Sequence, residues 1–505
     1  MRKPVLAQYT IRSKQSYIFQ TNKMLEVVGA SANISNAWIE LFDVAKKLEI
    51  KCRRAVEEKE SFLISSVLKE FEEAKLQLVE LFYGGGNLTV LYDCRETFVR
   101  VNKVFSYRLL QSCPGMLPMA VAVEYTGNYR EDYKKLMDAA EVEKNRMVPC
   151  DDNFILPFSK MDRNTYRPLS VTNQQGVQLS YESYGKAKAG RSKRDDSIKY
   201  LDTMITRKGE ESLLAIVHAD GNNMGRKIVD LLQDETDYSV CIPLMREFTF
   251  DTAQAFNVDG LEALEKCSES LKERYKDKNL APKYYAYRVI VADGDDMTFV
   301  CNARFVMEYV REYVKAVQTY RDRRKSKWQY SCCAGICIFH SHYPFARACS
   351  MAEKACDDGA KKKVHSTGAD DIAVVEEGWV DFHCIHSGLG GDLEELRLRQ
   401  NTYNKMARPW RLAGMTEAED EFSYEKLVKL YEICKARSVY RNNIKTLGAA
   451  WEDSKEDGYR ELSRVYGHAP GLKEDLAALK LSEERLMQSF YDLSEVYELW
   501  FEEVK

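Results

Sequence analysis

The fold is decided by two stretches, Tyr287-Arg-Val-Ile-Val-Ala-Asp-Gly-Asp-Asp-Met-Thr-Phe-Val300 and Leu213-Leu-Ala-Ile-Val-His-Ala-Asp-Gly-Asn-Asn-Met-Gly225. Each is an apolar run that ends in carboxylates and glycine, and the first resumes as a strand directly after Asp295 and Asp296. Carboxylates that lie close together repel one another, so they are tolerable only when a divalent cation neutralises them. The two stretches therefore predict a divalent-metal site of the kind used for nucleotidyl transfer.

Three acids are the predicted catalytic and metal-binding residues: Asp220, Asp295 and Asp296. The predicted cofactor is Mg²⁺ or Mn²⁺, because carboxylate oxygens are the ligands that these ions prefer. Alone, Asp220 could simply cap the helix that follows it, and Asp-Gly at position 293 could be an ordinary hairpin turn. A turn needs only one Asp, so the metal-site interpretation is favoured.

Further residues are predicted to contact a nucleotide: Gly221, Asn223, Gly225, Ser331 and Lys361. The helix that opens near Gly225 can turn its positive end toward a triphosphate. The Lys361 ammonium can neutralise the β- and γ-phosphates, although the two lysines that follow it are alternatives and a lysine is also favourable at any helix C-terminus. His218, within the strand that carries Asp220, is interpreted as packed rather than catalytic.

Composition sets wider limits. The chain has 505 residues, 45% of them hydrophobic and 30% charged, with a net charge of −4, which gives no support to a broad nucleic-acid-binding surface. We expect no membrane span, because no apolar run reaches roughly 18 residues, and no signal peptide. The 14 cysteines contain no Cys-x-x-Cys pair, a usage that favours buried thiols in a reducing cytoplasm.

The order of predicted elements, βααββαβ with a glycine-tipped hairpin in the middle, occurs twice. It predicts an α+β fold of two ferredoxin-like palm domains followed by a C-terminal helical domain. The predicted domains are a first palm at 1–146, a linker or irregular subdomain at 147–210, a catalytic palm at 211–378 and the helical domain at 379–505. The first palm has Gly84-Gly-Gly-Asn87 where acids would be needed, so it is predicted to be degenerate.

These motifs together resemble the large polymerase-like subunit of type III CRISPR effector complexes, which makes cyclic oligoadenylates from ATP and is similar in turn to GGDEF diguanylate cyclases. The resemblance rests on Gln15-Ser-Tyr-Ile-Phe19, Val28-Gly-Ala-Ser-Ala32, the Gly84 hairpin, Asp220-Gly-Asn-Asn-Met-Gly225, Asp293-Gly-Asp-Asp296, Ala334-Gly-Ile-Cys-Ile-Phe-His-Ser-His-Tyr-Pro344, Ala352-Glu353 and Ala360-Lys361. It implies that the three acids bind metal, that Lys361 touches the triphosphate and that Gly294 lets the backbone approach the nucleotide.

The chain also departs from that family. Asp293 replaces a glycine of the family's hairpin, Asn222 stands where a second acid sometimes occurs, and neither the His-Asp nuclease domain nor the zinc ribbon is visible. We therefore expect a reduced, free-standing relative that makes a cyclic nucleotide or cyclic oligonucleotide from ATP or another NTP, as an antiviral signal for a downstream effector. The alternatives are a subunit gated by RNA within a CRISPR-type complex, and a non-catalytic nucleotide-sensing scaffold. Homo-oligomers remain open.

Overall fold

The structure is a computed structural model. It describes residues 3–21, 23–54, 65–84, 86–147, 158–163, 165–192, 204–205, 212–278, 282–321, 329–366, 377–385, 391–412 and 421–501. Much of the linker predicted at 147–210 lies outside these residues. No helix in the described ranges has the length and apolarity that a membrane crossing needs. The thirteen cysteines within them are all free thiols.

The chain forms two compact units. The first comprises Met1–Lys199 with Asn223–Gln254, and the second comprises Tyr200–Asn222 with Ala255–Lys505. The chain thus passes from one unit to the other more than once. The division into four domains inferred from the sequence stays a prediction, because two compact units do not by themselves test the predicted domain boundaries.

The first unit contains a five-stranded sheet and a separate two-stranded ribbon. Its strands are β1 Val5–Arg12, β2 Cys52–Arg53, β3 Leu78–Gly84, β4 Asn87–Tyr92, β5 Leu117–Glu124, β6 Leu169–Thr172 and β7 Gln178–Ser180. Its helices are α1 Lys14–Phe19, α2 Met24–Lys47, α3 Ser65–Glu72, α4 Arg95–Ser112, α5 Tyr129–Arg146, α6 Tyr181–Ser192, α7 Met224–Leu232 and α8 Tyr238–Ala253. The order β2-β3-β4-β1-β5 is that of a ferredoxin-like sheet with β2 added at one edge.

Helix α8 is part of the core of this first unit, although its residues fall within the range predicted for the catalytic palm. Buried side chains of α8, among them Ile242 and Met245, pack in one cluster with Val79 and Leu81 of β3. The Arg246 guanidinium donates to the carbonyl oxygens of β3, including that of Glu80 at 2.8 Å. Burial of these apolar side chains is what stabilises the helix here.

The second unit contains the other large sheet. Its strands are β8 Leu213–Gly221, β9 Tyr287–Asp293, β10 Asp296–Asn302, β11 Cys332–His340, β12 Trp379–Cys384 and β13 Trp410–Arg411, in the order β13-β12-β11-β8-β10-β9. Strand β8 is antiparallel to both β10 and β11. The order β11-β8-β10-β9 repeats the ferredoxin-like arrangement of the first unit, so the predicted duplication is confirmed.

Helices complete the second unit. They are α9 Gly260–Arg274, α10 Val306–Thr319, α11 Phe345–Lys354, α12 Lys361–Ser366, α13 Leu393–Arg399, α14 Tyr424–Ala436, α15 Arg441–Asp453, α16 Lys455–His468, α17 Leu472–Ala477 and α18 Glu483–Val496. A π-helical segment, Ala355–Ala360, joins α11 to α12. The predicted helical character of the C-terminal region is confirmed by α13–α18.

Buried ion pairs join β12 and the segment around β13 to the C-terminal helices. The Arg397 guanidinium donates to both carboxylate oxygens of Asp381, at 2.6 and 2.9 Å. Arg408 pairs with Asp492 at 3.0 Å, and the Trp410 indole donates to the same carboxylate at 2.8 Å. Removing one partner of such a pair leaves an uncompensated buried charge, which is strongly destabilising.

Candidate functional site

Strands β8 and β10 bring their acids to one end of the sheet. The antiparallel register pairs Ala219 with Met297 and His218 with Thr298, so its next step sets Asp220 opposite Asp296. Because side chains alternate between the two faces of a strand, His218 and Asp220 share a face. The hairpin turn before Asp296 contains Gly294 at φ +65°, a conformation that favours glycine.

The structure brings together His218, Asp220 and Asp296. One ligand atom from each lies within 4.8 Å of the others. His218 is buried, and its Nδ1 is 3.1 Å from the Thr298 hydroxyl, which leaves Nε2 as the ring atom able to ligate a metal. Burial, with a smaller effect of the Lys361 ammonium, lowers the pKa of His218 to about 4. The imidazole is therefore neutral near pH 7, as metal ligation requires.

A helix covers this face of the sheet and supplies a cation. Glycine at 335 in β11 permits the approach, because a Cβ there would lie 2.0 Å from the carbonyl oxygen of Ala352. The Lys361 ammonium forms an ion pair with Asp220 and lies 3.9 Å from Asp357. Burial lowers the pKa of Lys361 to about 8. One positive charge thus faces at least two carboxylates before any metal is considered.

The three consecutive lysines have different surroundings. Lys361 contacts Asp220, whereas Lys362 pairs with Asp358 at 3.2 Å. The Lys363 ammonium lies 4.7 Å from the centre of the Phe422 ring. Of the three, Lys361 is the one whose ammonium is placed among the acids of the site.

Asp295 is the third predicted metal ligand. In the ranges that the structure describes, it belongs to neither group of potential metal ligands. Burial raises the pKa of the Cys332 thiol well above its usual value, and the Asp295 charge adds to that rise. Burial and then Cys332 raise the pKa of Tyr313, with smaller contributions from Asp295 and Asp296. Metal binding by Asp295 stays a prediction.

The predicted nucleotide-binding residues are spread over both units. Gly221 is the last residue of β8 and pairs with Cys332. The Ser331 carbonyl and hydroxyl oxygens accept hydrogen bonds from Asn222, at 2.9 and 3.0 Å. The Gly294 carbonyl accepts one from Asn257 at 3.1 Å. Gly221, Gly294 and Ser331 lie in the second unit. Gly221 and Gly294 are adjacent in sequence to Asp220 and Asp295, whereas Ser331 directly precedes β11.

Asn223 and Gly225 belong to the first unit. Asn223 adopts φ +52°, a left-handed conformation that Asn tolerates better than most residues, and it precedes α7. A Cβ at position 225 would meet nothing within 4 Å. The glycine at 225 is therefore not required by packing within the described structure, and a role in approaching a ligand stays a prediction.

His218 is buried, as its interpretation as a packed residue implies, and the structure adds that it lies beside Asp220 and Asp296. Asp357 was not singled out from the sequence. The signal for His218 was its position two residues before Asp220, which puts both side chains on one face of β8. Asp357 precedes Lys361 by four residues, a spacing that makes neighbours on a helix. Both spacings can be read from the sequence, but neither predicts which face of the sheet the helix covers.

The donor set fits a divalent cation. Two carboxylates that face one another repel, and a cation between them removes that cost. Their oxygens suit Mg²⁺ and Mn²⁺, and the His218 nitrogen suits Mn²⁺ better than Mg²⁺. The groups could thus hold the predicted cofactor.

Comparison with known families supports this assignment of the sheet. Residues 213–372 match the family model described as Cas10/Cmr2, second palm domain. This segment resembles the second Cas10/Cmr2 palm. The match confirms the resemblance to the polymerase-like CRISPR subunit drawn from the motifs at Asp220 and Asp293–Asp296, both of which lie inside the matched range. No curated protein matches the sequence.

Solved structures of Csm1 are similar over most of the chain. Csm1 from T. onnurineus shares 12% identity, with 98% of this chain and 69% of that chain covered and a TM-score of 0.48. Csm1-Csm4 cassettes in complex with cA4 and with pppApApA share 10% and 11% identity, each with 97% and 69% coverage, and TM-scores of 0.47 and 0.48. At these values the likeness carries no argument about what the present chain binds.

Proposed function

We propose that this protein is a divalent-metal-dependent nucleotidyl transferase that makes a cyclic nucleotide or cyclic oligonucleotide from ATP. The observation that carries the proposal is the convergence of Asp220, Asp296 and His218 within 4.8 Å at one end of the palm sheet, with Lys361 beside them. The match of this sheet to the Cas10/Cmr2 second palm supports it.

The residues of the site have different roles. Asp220 and Asp296 would hold Mg²⁺ or Mn²⁺, and the neutral His218 nitrogen would complete the donor set. When bound, the ion supplies Lewis-acid stabilisation of phosphate oxygens and an acidified ribose hydroxyl. Lys361 offers the positive charge that a triphosphate needs, and it neutralises Asp220 in the absence of substrate. The ribose hydroxyl of one nucleotide would attack the α-phosphorus of another, so that a phosphodiester bond forms. The bond from this phosphorus to the oxygen that bridges to the β-phosphate breaks, pyrophosphate leaves and the hydroxyl proton passes to solvent.

Product formation tests the proposal. The protein is incubated with each NTP and Mg²⁺ or Mn²⁺, and products are identified by mass spectrometry. Asp220→Asn and Asp296→Asn should each lower turnover at least about 100-fold, because each removes a metal ligand. Asp295→Asn tests whether both acids of the hairpin bind the metal. A small effect on turnover would mean that, of the two, only Asp296 does. Asp358→Asn, which alters an exposed acid paired with Lys362, is the matched control.

Unchanged products from both Asp220→Asn and Asp296→Asn would place the active centre elsewhere. The family match also favours a second candidate, in which the same chemistry is gated by RNA and partner subunits of a CRISPR-type complex. Activity of the purified chain alone supports a free-standing enzyme. Activity that appears only after addition of RNA and partner subunits supports the gated form.

A further inference from the structure

A second set of possible metal ligands lies next to the first and has different chemistry. His218, Cys356 and Asp357 each place a ligand atom within 4.8 Å of the other two. A nitrogen, a sulfur and a carboxylate oxygen form the mixed donor set that Zn²⁺ accepts, and a thiolate is a poor ligand for Mg²⁺. The donors therefore point to a different cation from the one that Asp220 and Asp296 suit.

The fold holds this set in place from both sides. Cys356 and Asp357 lie in the π-helical segment Ala355–Ala360, and such segments are rare and often occur at functional sites. A Cβ at position 335 would lie 2.3 Å from the Cys356 backbone nitrogen, so only glycine in β11 permits this approach. His218 and Cys356 are buried, while the Asp357 side chain is 49% exposed and gives the set an opening to solvent.

We propose that His218, Cys356 and Asp357 bind a thiophilic divalent cation, with Zn²⁺ as the test ion, at a site distinct from the Asp220–Asp296 pair. The Cys356 thiol, which now donates to the Cys333 carbonyl oxygen at 3.4 Å, loses its proton to solvent as the metal–sulfur bond forms. The neutral imidazole contributes a lone pair and Asp357 a negative charge. The thiolate and the carboxylate balance the two charges of the ion.

The two sites compete for one ring nitrogen. Nδ1 of His218 is held by Thr298, so Nε2 can serve the acids of the first site or the donors of the second, but not both. Zn²⁺ at Cys356 would therefore take His218 away from Asp220 and Asp296. It would also place a positive charge beside Lys361, whose ammonium lies 3.9 Å from Asp357. The expected consequence is inhibition by Zn²⁺, and this part rests on the proposed function.

Metal binding is measured first, without any activity readout. The full chain, freed of metal with a chelator, is titrated with Co²⁺ and with Zn²⁺. Wild-type protein should show the near-ultraviolet charge-transfer band of a cobalt–thiolate bond, and Zn²⁺ should displace it. Zinc titrations in two buffers of different ionisation enthalpy should report about one proton released per ion, since the thiol must ionise.

Two variants and a matched control assign the ligands. Cys356→Ser should abolish the cobalt–thiolate band and weaken Zn²⁺ binding at least about 100-fold, and the partly exposed Asp357→Asn should weaken it at least about tenfold. Cys349→Ser alters another buried thiol of the preceding helix and should change neither. If Cys356→Ser does not fold, the cobalt–thiolate band of wild-type protein and the Zn²⁺ affinity of Asp357→Asn still show whether the second site binds metal.

Each outcome bears on the proposal. A cobalt spectrum without a thiolate band, or equal Zn²⁺ affinity in wild-type protein and Asp357→Asn, would overturn the second site. If the site binds Zn²⁺ but saturating Zn²⁺ leaves product formation in Mg²⁺ unchanged, the competition through His218 is refuted. If no product forms from any NTP, either with the chain alone or with RNA and partner subunits added, the proposed function is refuted and the metal-binding result is unaffected.

Discussion

Without metal, the Asp296→Asn variant should have a higher free energy of unfolding than wild type. With metal added, wild type should be the more stable protein. The carboxylate oxygens of Asp220 and Asp296 lie within 4.8 Å of each other. At an effective dielectric constant of about 20, two unit charges at that distance repel by about 3.5 kcal/mol. The Lys361 ammonium beside Asp220 offsets part of this, so we expect the variant to gain about 1–2 kcal/mol in chelator.

Addition of Mg²⁺ or Mn²⁺ should reverse the order. A ligand that binds only the folded state stabilises it by about 2.7 kcal/mol at a concentration 100 times its Kd. Wild-type protein should gain this increment, whereas the Asn variant, which lacks one ligand, should gain much less. The measurement is urea unfolding of both proteins, with chelator and across a series of metal concentrations.

Asp358→Asn is again the matched control, because it removes an exposed carboxylate that pairs with Lys362 at 3.2 Å. It should show the wild-type response to metal. The contrary result is an Asp296→Asn protein that is less stable than wild type in chelator and still gains the full increment from metal. That result would mean that Asp220 and Asp296 do not share a cation.

Further changes test three positions of the second unit and one position of the first. Lys361→Gln should lower kcat/KM about 10- to 160-fold, because a hydrogen bond to a charged group contributes about 1.5–3 kcal/mol. Lys361→Arg should restore part of this loss in steady-state assays. Gly335→Ala should destabilise by about 1–3 kcal/mol in urea because its Cβ would overlap the Ala352 carbonyl, whereas Gly225→Ala, whose Cβ meets nothing within 4 Å, should stabilise by about 0.5–1 kcal/mol. Burial, followed by the charges of nearby arginines, lowers the pKa of His383 to about 4. As the pH falls from 6.5 toward 4, the His383 imidazole is therefore protonated in the unfolded chain before it is protonated in the folded one, and folding stability is lost. Urea unfolding at each pH should show that wild type loses up to about 3 kcal/mol more than His383→Gln over this range.

Local patterns in the sequence were enough to predict the fold class and the family resemblance. The apolar run before Asp220 indicates a buried strand, and the glycine-containing segment Asp293–Asp296 between two apolar runs indicates a hairpin. Two such sets in the same order predicted the duplicated ferredoxin-like sheet, which the strand orders confirm. None of these signals depends on contacts between distant parts of the chain.

Which side chains form the site depends on contacts between distant parts of the chain. Lys361 lies 141 residues from Asp220, and the choice among three consecutive lysines follows from the face that α12 turns toward β8. His218 and Cys356 become neighbours only because glycine at 335 admits the helix. Helix α8 likewise packs on β3 of the first unit through contacts that its own sequence does not specify.

The sequence by itself therefore determined which elements form and which acids end the strands. Only the tertiary structure decided which side chains share a metal-sized space, since register and helix approach are set by packing between segments far apart in the chain. A pattern of residues predicts the local backbone conformation. The convergence of metal ligands on one point depends on many contacts between segments that are far apart in the chain.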